Sequence, residues 1–216
     1  MHLNISSIAA MASRKRAALI NSLSGFKSAN LVGTADADGH CNLAIMSSVV
    51  HLGSHPPLLA LIVRPGAEER HTLHNLLASG HYSINHVTSE IVEAAHQTAA
   101  RYSRDTSEFE ATGLTPEWWP GFGAPLVAEA RVKLALELRD HQELKINNTH
   151  LVIGEIIHAE MPEACLREDG SLDLVAANSM AISGLDSYHQ TKLFRRMAYA
   201  KPDQSPQVVK SIDTET

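Results

Sequence analysis

The sequence has few cysteines, no long run of lysine or arginine, and no long apolar run. Two cysteines in 216 residues, Cys41 and Cys165, are too few and too far apart for a disulfide framework or a thiolate metal site. We therefore expect a reducing, cytoplasmic setting. A net charge of -6 without a basic run is unlike the surface of a nucleic-acid-binding protein. No apolar stretch approaches the roughly 18 residues needed to cross a bilayer, so we expect no membrane association.

The overall composition predicts one folded domain. Hydrophobic residues make up 44% of the chain and charged residues 19%, a globular balance that excludes disorder over most of the length. A length of 216 residues lies just above the usual size of roughly 100 to 200 residues for one domain. We expect a single domain over 1–216, with a core at about 25–165 and a C-terminal appendage at about 166–216. Two small domains are the alternative.

The hydrophobic pattern predicts a mainly β protein with flanking helices. An Asp-Gly pair at 38–39 is expected to join two β-rich arms in a hairpin. Few helices interrupt the predicted strands, which favours a closed or partly closed antiparallel β-barrel, because closure removes exposed strand edges. The predicted helices cover 7–24, 72–79 and a segment that follows Thr88 as N-cap; the predicted strands cover 29–35, 41–52, 58–63, 81–87, 126–138 and 150–158; residues 102–125 are expected to form a loop.

Two serines interrupt the apolar run at 42–50, in the second arm of the predicted hairpin. Packing alone would place Val or Ile at Ser47 and Ser48. A buried hydroxyl without a partner costs about 1 to 3 kcal/mol, and an aromatic ligand with polar edges would supply partners. The alternative is that both serines bond neighbouring backbone groups.

An anion site is predicted where the next helix begins. Helix N-termini offer free amide donors and the positive end of the dipole. Arg64 or Arg70 could add a forked cation for phosphate oxygens, and Thr72 could add a hydroxyl. Alternatively, Glu68 and Glu69 neutralise both arginines in a solvated loop, and Thr72 is only an N-cap.

Several ordered motifs together resemble one known family. They cover about residues 29–160, and the ordered set is far more specific than any single motif. The motifs lie at 42–48, 49–59, Arg64-Pro65, His71-Thr72 with Asn75, 82–87, 107–109 with 113–114, and 124–125. The chain is similar to the flavin reductase-like family, which has the FMN-binding split-barrel fold.

The resemblance implies a homodimer of split barrels, each binding FMN noncovalently near the subunit interface. Asn75 and Asn85 also match the family pattern, although polar residues at these places often serve the backbone. By position, the residues expected to line the isoalloxazine ring and ribityl chain are Asn42, Met46, Ser47, Ser48 and Val49, and those expected around the phosphate are Arg64, His71 and Thr72.

The chain departs from the family at the phosphate end. Where the family frequently has Lys-Asp-Thr, this sequence has Arg70, His71 and Thr72. An imidazole is largely neutral at pH 7 unless a neighbouring anion raises its pKa. We therefore predict that FMN retention weakens as the pH rises.

Thirteen histidines raise the question of a metal site. The pairs His71 with His74 and His51 with His55 have suitable spacings, but carboxylate partners are not nearby in the sequence. We expect scattered surface or structural histidines and no metal. In the appendage, Tyr188 could cap the flavin or the hydride donor together with the adjacent His189, or both could make ordinary contacts of a surface arm.

The resemblance implies an NAD(P)H-dependent flavin reductase or a related flavoprotein oxidoreductase, with NAD(P)H as co-substrate and a flavin-dependent monooxygenase as a candidate partner. The flavin itself carries the redox chemistry, and no Ser-His-Asp triad or carboxylate pair is found, so no catalytic residue is assigned. One alternative is a noncatalytic flavin-binding or sensor module. A relative of pyridoxamine-phosphate oxidases or of haem-degrading proteins ranks lower, because residues 42–59 resemble flavin reductases.

Overall fold

The computed structural model describes residues 1–66, 71–103 and 105–209, which form a mainly β structure with short flanking helices. None of the helices in these ranges is long and apolar enough to cross a membrane. The helices are α1 (Ile5–Ala9), α2 (Ser13–Leu23), α3 (His71–Ser79), α4 (Val92–Gln97) and α5 (Glu108–Thr112), with a 3-10 turn at Glu163–Cys165. The strands are β1 (Lys27–Ser28), β2 (Asn30–Ala35), β3 (Cys41–Met46), β4 (Val49–Ser54), β5 (Pro57–Val63), β6 (His81–His86), β7 (Pro116–Glu117), β8 (Leu126–Val127), β9 (Lys133–Leu144), β10 (Thr149–Glu160), β11 (Ala181–Ser183) and β12 (Ser187–His189).

Seven strands form one antiparallel sheet in the order β3-β2-β6-β9-β10-β5-β4. The outermost strands, β3 and β4, are consecutive in the sequence and are joined by Ser47 and Ser48. That connection spans at most about 11 Å. The sheet must therefore curl until its two edges lie side by side, and because these edges do not pair, the barrel stays open between β3 and β4. The predicted antiparallel, partly closed barrel is confirmed.

The predicted strand over 41–52 is wrong in one respect, because it is two strands on opposite edges of the sheet. β3 ends at Met46, and β4 begins at Val49. Between them, the Ser48 hydroxyl donates to the Ile62 carbonyl oxygen at 2.6 Å, and the Ile62 amide donates to the Ser48 carbonyl oxygen at 3.1 Å. These two bonds hold the segment that follows β3 against β5. A two-residue hydrophobic period does not reveal which neighbour a strand pairs with.

Four other predictions failed where the structure divides or moves a predicted element. The predicted helix over 7–24 is split into α1 and α2, and across the break the Arg16 guanidinium donates to the carbonyl oxygens of Ala9 and Met11. The segment 102–125, predicted as a loop, contains α5 and β7, and the predicted strand over 126–138 divides into β8 and β9. Thr88 is not a helix cap, since α4 begins after Ile91.

The barrel core is centred on Tyr82, which lies across the sheet from a glycine. A Cβ atom at Gly154 would lie 2.1 Å from the Tyr82 hydroxyl oxygen, so no other residue type fits there without displacement of the ring. Side chains from β2, β5, β6, β9 and β10 surround the ring, and Leu76 from α3 closes one side. Packing of Leu76 against the barrel therefore fixes the position of α3 relative to the strands.

Part of the C-terminal appendage packs on the barrel. β11 pairs with β1 and β12, and Ala177, Met180 and Ile182 are buried. Met180 and Ile182 join a core cluster that also contains residues of β2 and β3. The boundary near residue 165 is therefore crossed by core contacts, and the division into core and appendage stays a prediction.

Candidate functional site

The outer edge of β3 is covered by side chains from two helical segments. The Leu43 amide donates to the Glu108 carboxylate at 2.9 Å, and the Ile45 amide donates to the Thr98 hydroxyl at 2.9 Å. Both amides point away from β2, where an unprotected edge could pair with another strand. Glu108 has no role that the sequence pattern predicts, and only the approach of α5 to β3 identifies one. These bonds hold β3 in a fixed position.

Asn42 and Thr72, two predicted site residues 30 positions apart, meet beside the start of α3. The Asn42 side-chain amide donates to the Thr72 hydroxyl oxygen at 2.9 Å, and both residues are buried. Because the Thr72 oxygen accepts this bond, its own proton remains available for a further acceptor. Since α3 begins at His71, Thr72 lies inside the first turn rather than at the N-cap. The Asn42 amide and the Thr72 hydroxyl are therefore linked in series, and the Thr72 proton is the donor that a ligand can accept.

The start of α3 opens on a small polar cleft. Its enclosed space is about 10 Å³, room for about one water molecule. An anion of phosphate size would therefore lie at the mouth of the cleft, beside the first turn of α3. The cleft is lined by Asp36, His40, Cys41, Asn42, His71, Asn75, Thr106 and Glu108.

Charges of both signs meet in this cleft. Burial raises the pKa of the Glu108 carboxyl, although the Leu43 amide and His71 act in the opposite direction. Burial also raises the pKa of the Cys41 thiol, and the carboxylates of Asp36 and Glu110 add to this effect. The thiol is thus kept protonated and unreactive. Carboxylates near the mouth oppose an anion, while the α3 amides, the Thr72 hydroxyl and His71 favour one.

The predicted ring-binding residues Met46, Ser47, Ser48 and Val49 lie together at the opening between β3 and β4. All four are half-buried, so each has a face available to a ligand. The Ser48 hydroxyl donates to the backbone of β5, as the backbone-bonding alternative predicts for this serine. Its oxygen still has lone pairs to accept a hydrogen bond.

The remaining predicted phosphate ligands lie in different surroundings. The Arg64 guanidinium donates to the Asn21 side-chain oxygen of α2 at 2.8 Å and is exposed. Its assignment to a phosphate stays a prediction. Arg70, together with Glu68 and Glu69, lies outside the described residues. Of the eight predicted site residues, the structure brings Asn42, His71 and Thr72 to one cleft, Met46, Ser47, Ser48 and Val49 to one strand opening, and Arg64 to α2.

Asn75 and Asn85, the two asparagines that match the family pattern, have different surroundings. Asn85 is fully buried and bonds the backbone, donating to the Leu31 carbonyl oxygen at 3.1 Å and accepting from the Val127 amide at 3.0 Å. It serves the backbone, as the alternative predicts. Asn75 lines the cleft and donates to the Thr34 hydroxyl at 3.4 Å, so it remains within reach of a ligand at the mouth.

Tyr188 and His189 both have partners within the fold. The Tyr188 hydroxyl lies 2.9 Å from the His96 Nδ1 atom, and the His189 Nε2 atom lies 2.9 Å from the Ser183 hydroxyl. The Phe26 ring packs edge-on against His189 at 4.8 Å between centroids. These are tertiary contacts of β12, and a role over the flavin stays a prediction.

A possible metal group in the described ranges comprises Asp36, Asp38 and His40 in the β2–β3 turn. One Asp36 carboxylate oxygen accepts from the Asp38 and His40 amides at 3.0 Å each, and the other lies 3.1 Å from the His40 ring. These bonds are those of a turn closed by an aspartate. The absence of a metal stays a prediction.

Solved structures with this fold include flavin proteins. A crystal structure assigned as a flavin reductase with split barrel domain, from Shewanella frigidimarina NCIMB 400, is 52% identical with a TM-score of 0.90 and covers 93% of this chain and 100% of that chain. It confirms the split-barrel prediction. Nitrilotriacetate monooxygenase component B from Bacillus cereus is 21% identical with a TM-score of 0.78, covering 89% of this chain and 96% of that chain, and shows the same fold.

A relative from Aquifex aeolicus, described as an uncharacterized protein, is 28% identical over 140 residues, which are 64% of this chain and 70% of the relative. The family model of the flavin reductase like domain matches residues 23–182, and this range contains all seven strands of the barrel. The chain therefore belongs to the flavin reductase like domain family.

Proposed function

We propose that the protein binds FMN noncovalently at the opening of the barrel and transfers hydride from NAD(P)H to this flavin. Membership of the family supports a flavin-related oxidoreductase. The observation that carries the finer proposal is that Asn42, predicted to line the ring and ribityl chain, bonds Thr72, predicted at the phosphate, while the same strand leads to the barrel opening at Met46. Asn42 and Met46 lie on the same face of β3 about 14 Å apart, at about 3.4 Å per residue. This separation is on the scale of a flavin mononucleotide extended from its phosphate to its ring.

The proposed roles follow the position of each residue along that path. Met46, Ser47, Ser48 and Val49 would contact the ring and the upper ribityl chain at the unpaired strand edge. Asn42 would orient the Thr72 hydroxyl so that its proton points to the phosphate. A bound flavin would supply the redox chemistry by accepting a hydride. The chain's own residues bind and orient it and leave one ring face accessible.

His71 and Arg64 would complete the phosphate site in this proposal. His71 is the first residue of α3 and lines the cleft beside Asn42. Arg64 follows β5 directly and is exposed, so its guanidinium, with five donors, can reach an anion while keeping its bond to Asn21. The carboxylates of Asp36 and Glu108 limit affinity and favour a flavin that exchanges with solvent.

The wider setting is proposed as a cytoplasmic homodimer that supplies reduced flavin to a monooxygenase. The fold shared with a protein described as a monooxygenase component supports a partner of this kind. A noncatalytic flavin-binding or sensor module of the same fold is the second candidate, since the same cleft and opening would bind the flavin in either case.

An absorbance spectrum followed by anaerobic titration tests the proposal. Purified protein is mixed with FMN, and NADH and NADPH are then added separately while flavin bleaching is followed. We expect saturable FMN binding at micromolar concentration and rapid bleaching by one of the two nucleotides. Failure to bind FMN would refute the proposal, and a yellow protein that oxidises neither nucleotide would favour the noncatalytic module.

A further inference from the structure

Residues 190–209, here called the C-terminal arm, lie almost entirely outside the packed structure. Every residue of the arm is exposed except Arg196, which is half-buried. The exposed fraction reaches 87% for Phe194 and 93% for Tyr199, and Leu193 and Met197 are each about half exposed. Soluble proteins rarely leave neighbouring large apolar side chains in water. Within residues 1–66, 71–103 and 105–209, the arm therefore presents an apolar surface that no other segment covers.

The arm's own bonding is too sparse to hold it in place. An isolated bridge joins Met197 to Val208, with the Ala198 amide donating to the Gln207 carbonyl oxygen at 2.9 Å. Among the described residues, Arg196 ties the arm to the loop between Leu166 and Leu172 through an ion pair with Asp169. An isolated hairpin is at best marginally stable in water, and ordering each residue costs about 1 to 2 kcal/mol. Burial of apolar area on another surface must offset this cost.

Charge indicates what that surface is. The arm carries four cations, Lys192, Arg195, Arg196 and Lys201, against the single carboxylate of Asp203. The whole chain has 24 acidic and 18 basic residues, so the part outside the arm is strongly acidic. The arm thus complements the charge of the chain to which it belongs, and attraction between opposite charges favours a second copy as its partner.

The arm starts beside an exposed apolar patch that fits this partner. The patch, here called the β12 patch, consists of Leu23, Phe26 and Leu185, which are 67%, 71% and 47% exposed. Phe26 packs on His189, the residue immediately before the arm. Asp186 adds an exposed carboxylate at the same place. A two-fold arrangement with the two β12 patches near the symmetry axis would bring the root of each arm next to the patch of the other copy.

We propose that the C-terminal arm of one copy docks on the β12 patch of a second copy, in a reciprocal exchange that stabilises the homodimer. This inference rests on the homodimer in the proposed function and adds the segment that forms it. A two-fold interface buries both arms at once. Each fully buried aromatic ring removes about 150 to 250 Å² from water, so Phe194 and Tyr199 from two arms supply a substantial part of a standard interface of about 800 Å² per partner.

The first test measures dimer affinity by analytical ultracentrifugation of the full chain and three variants. The variants are a truncation after His189, the double variant Phe194→Ala with Tyr199→Ala, and the control Ile146→Ala. Ile146 is 92% exposed in the β9–β10 turn, outside the arm and the β12 patch. We expect the dissociation constant to rise at least about tenfold for the truncation and the double variant, and to stay unchanged for the control. An unchanged dimer without the arm would overturn the proposal, as would a full chain that is monomeric at about 100 µM.

The second test does not depend on dimer affinity. A photocrosslinking residue, p-benzoylphenylalanine, replaces Tyr199, and this protein is mixed with an isotopically heavy copy before irradiation. We expect crosslinked peptides that combine light and heavy chains and contain Leu23, Phe26 or Leu185. Crosslinks confined to one chain would overturn the proposal. So would sedimentation of the arm with anionic phosphatidylserine vesicles without any crosslink between copies.

Flavin binding is measured on the same samples so that the two proposals fail separately. A truncated chain that is monomeric yet still binds FMN supports the arm proposal and leaves the flavin proposal intact. A full chain that exchanges arms but binds no FMN refutes the flavin proposal alone.

Discussion

His86 makes the stability of the fold sensitive to acid, and the size of the effect follows from its surroundings. Its Nδ1 atom lies 2.9 Å from the Ser179 hydroxyl, so it links β6 to the C-terminal segment. Burial lowers the pKa of His86 from 6.5 to about 4. The folded protein therefore holds this imidazole neutral at a pH where the unfolded chain already binds a proton.

The sign and magnitude of this effect on the free energy of unfolding follow from the linkage between proton binding and folding. Between the two pKa values the unfolded chain binds more protons, so the free energy of unfolding falls as the pH falls. The contribution is complete above pH 6.5 and is lost progressively towards pH 4. Integrated from about pH 7 to about pH 5, the loss is at most about 2 kcal/mol.

The variant His86→Gln removes the titration and keeps a side-chain amide that can bond Ser179. Urea unfolding of the natural chain and the variant at about pH 7 and pH 5 gives the loss for each protein. We expect the natural chain to lose about 2 kcal/mol more than the variant, because all other histidines are common to both. The exposed His74→Gln should behave like the natural chain. Equal losses in the natural chain and His86→Gln would refute this account.

Three further predictions concern the site and the core. Thr72→Val should weaken FMN binding by about tenfold or more, since it removes a donor and leaves the Asn42 amide unpaired, while Thr72→Ser should keep affinity; equilibrium titration measures both. Gly154→Ala should destabilise the fold by about 3 kcal/mol or more in urea, because its Cβ would meet the Tyr82 ring. Tyr82→Phe should leave stability within about 1 kcal/mol or raise it, since the hydroxyl is buried without a partner among the described residues.

Local patterns in the sequence were sufficient wherever the structure is local. The Asp38-Gly39 pair predicted a turn, and Gly39 has a φ of 84° in a turn closed by a bond from its amide to the Asp36 carbonyl oxygen. The helix predicted over 72–79 and the strand predicted over 81–87 match α3 and β6 within one residue. Each of these signals, the Asp-Gly pair, the hydrophobic spacing and the Gly80 that ends α3, acts within a few neighbouring residues.

The division of 41–52 into β3 and β4 could not be predicted in the same way. Both strands have the same apolar character, and the difference between them is the neighbour each one pairs with. Glu108 is comparable, because its role depends on a hydrogen bond to Leu43 across 65 positions. The order of motifs, by contrast, correctly identified the family.

The sequence by itself determined the mainly β character, the family, and the residue types at the barrel opening. Tertiary structure alone decided that Asn42 and Thr72 share a hydrogen bond, that Arg64 contacts α2, and that the C-terminal segment enters the core before it leaves as an exposed arm. The physical reason is that strand pairing and side-chain hydrogen bonds join residues far apart in the chain. Their geometry is set by the curvature of the seven-stranded sheet, which no local window of the sequence contains.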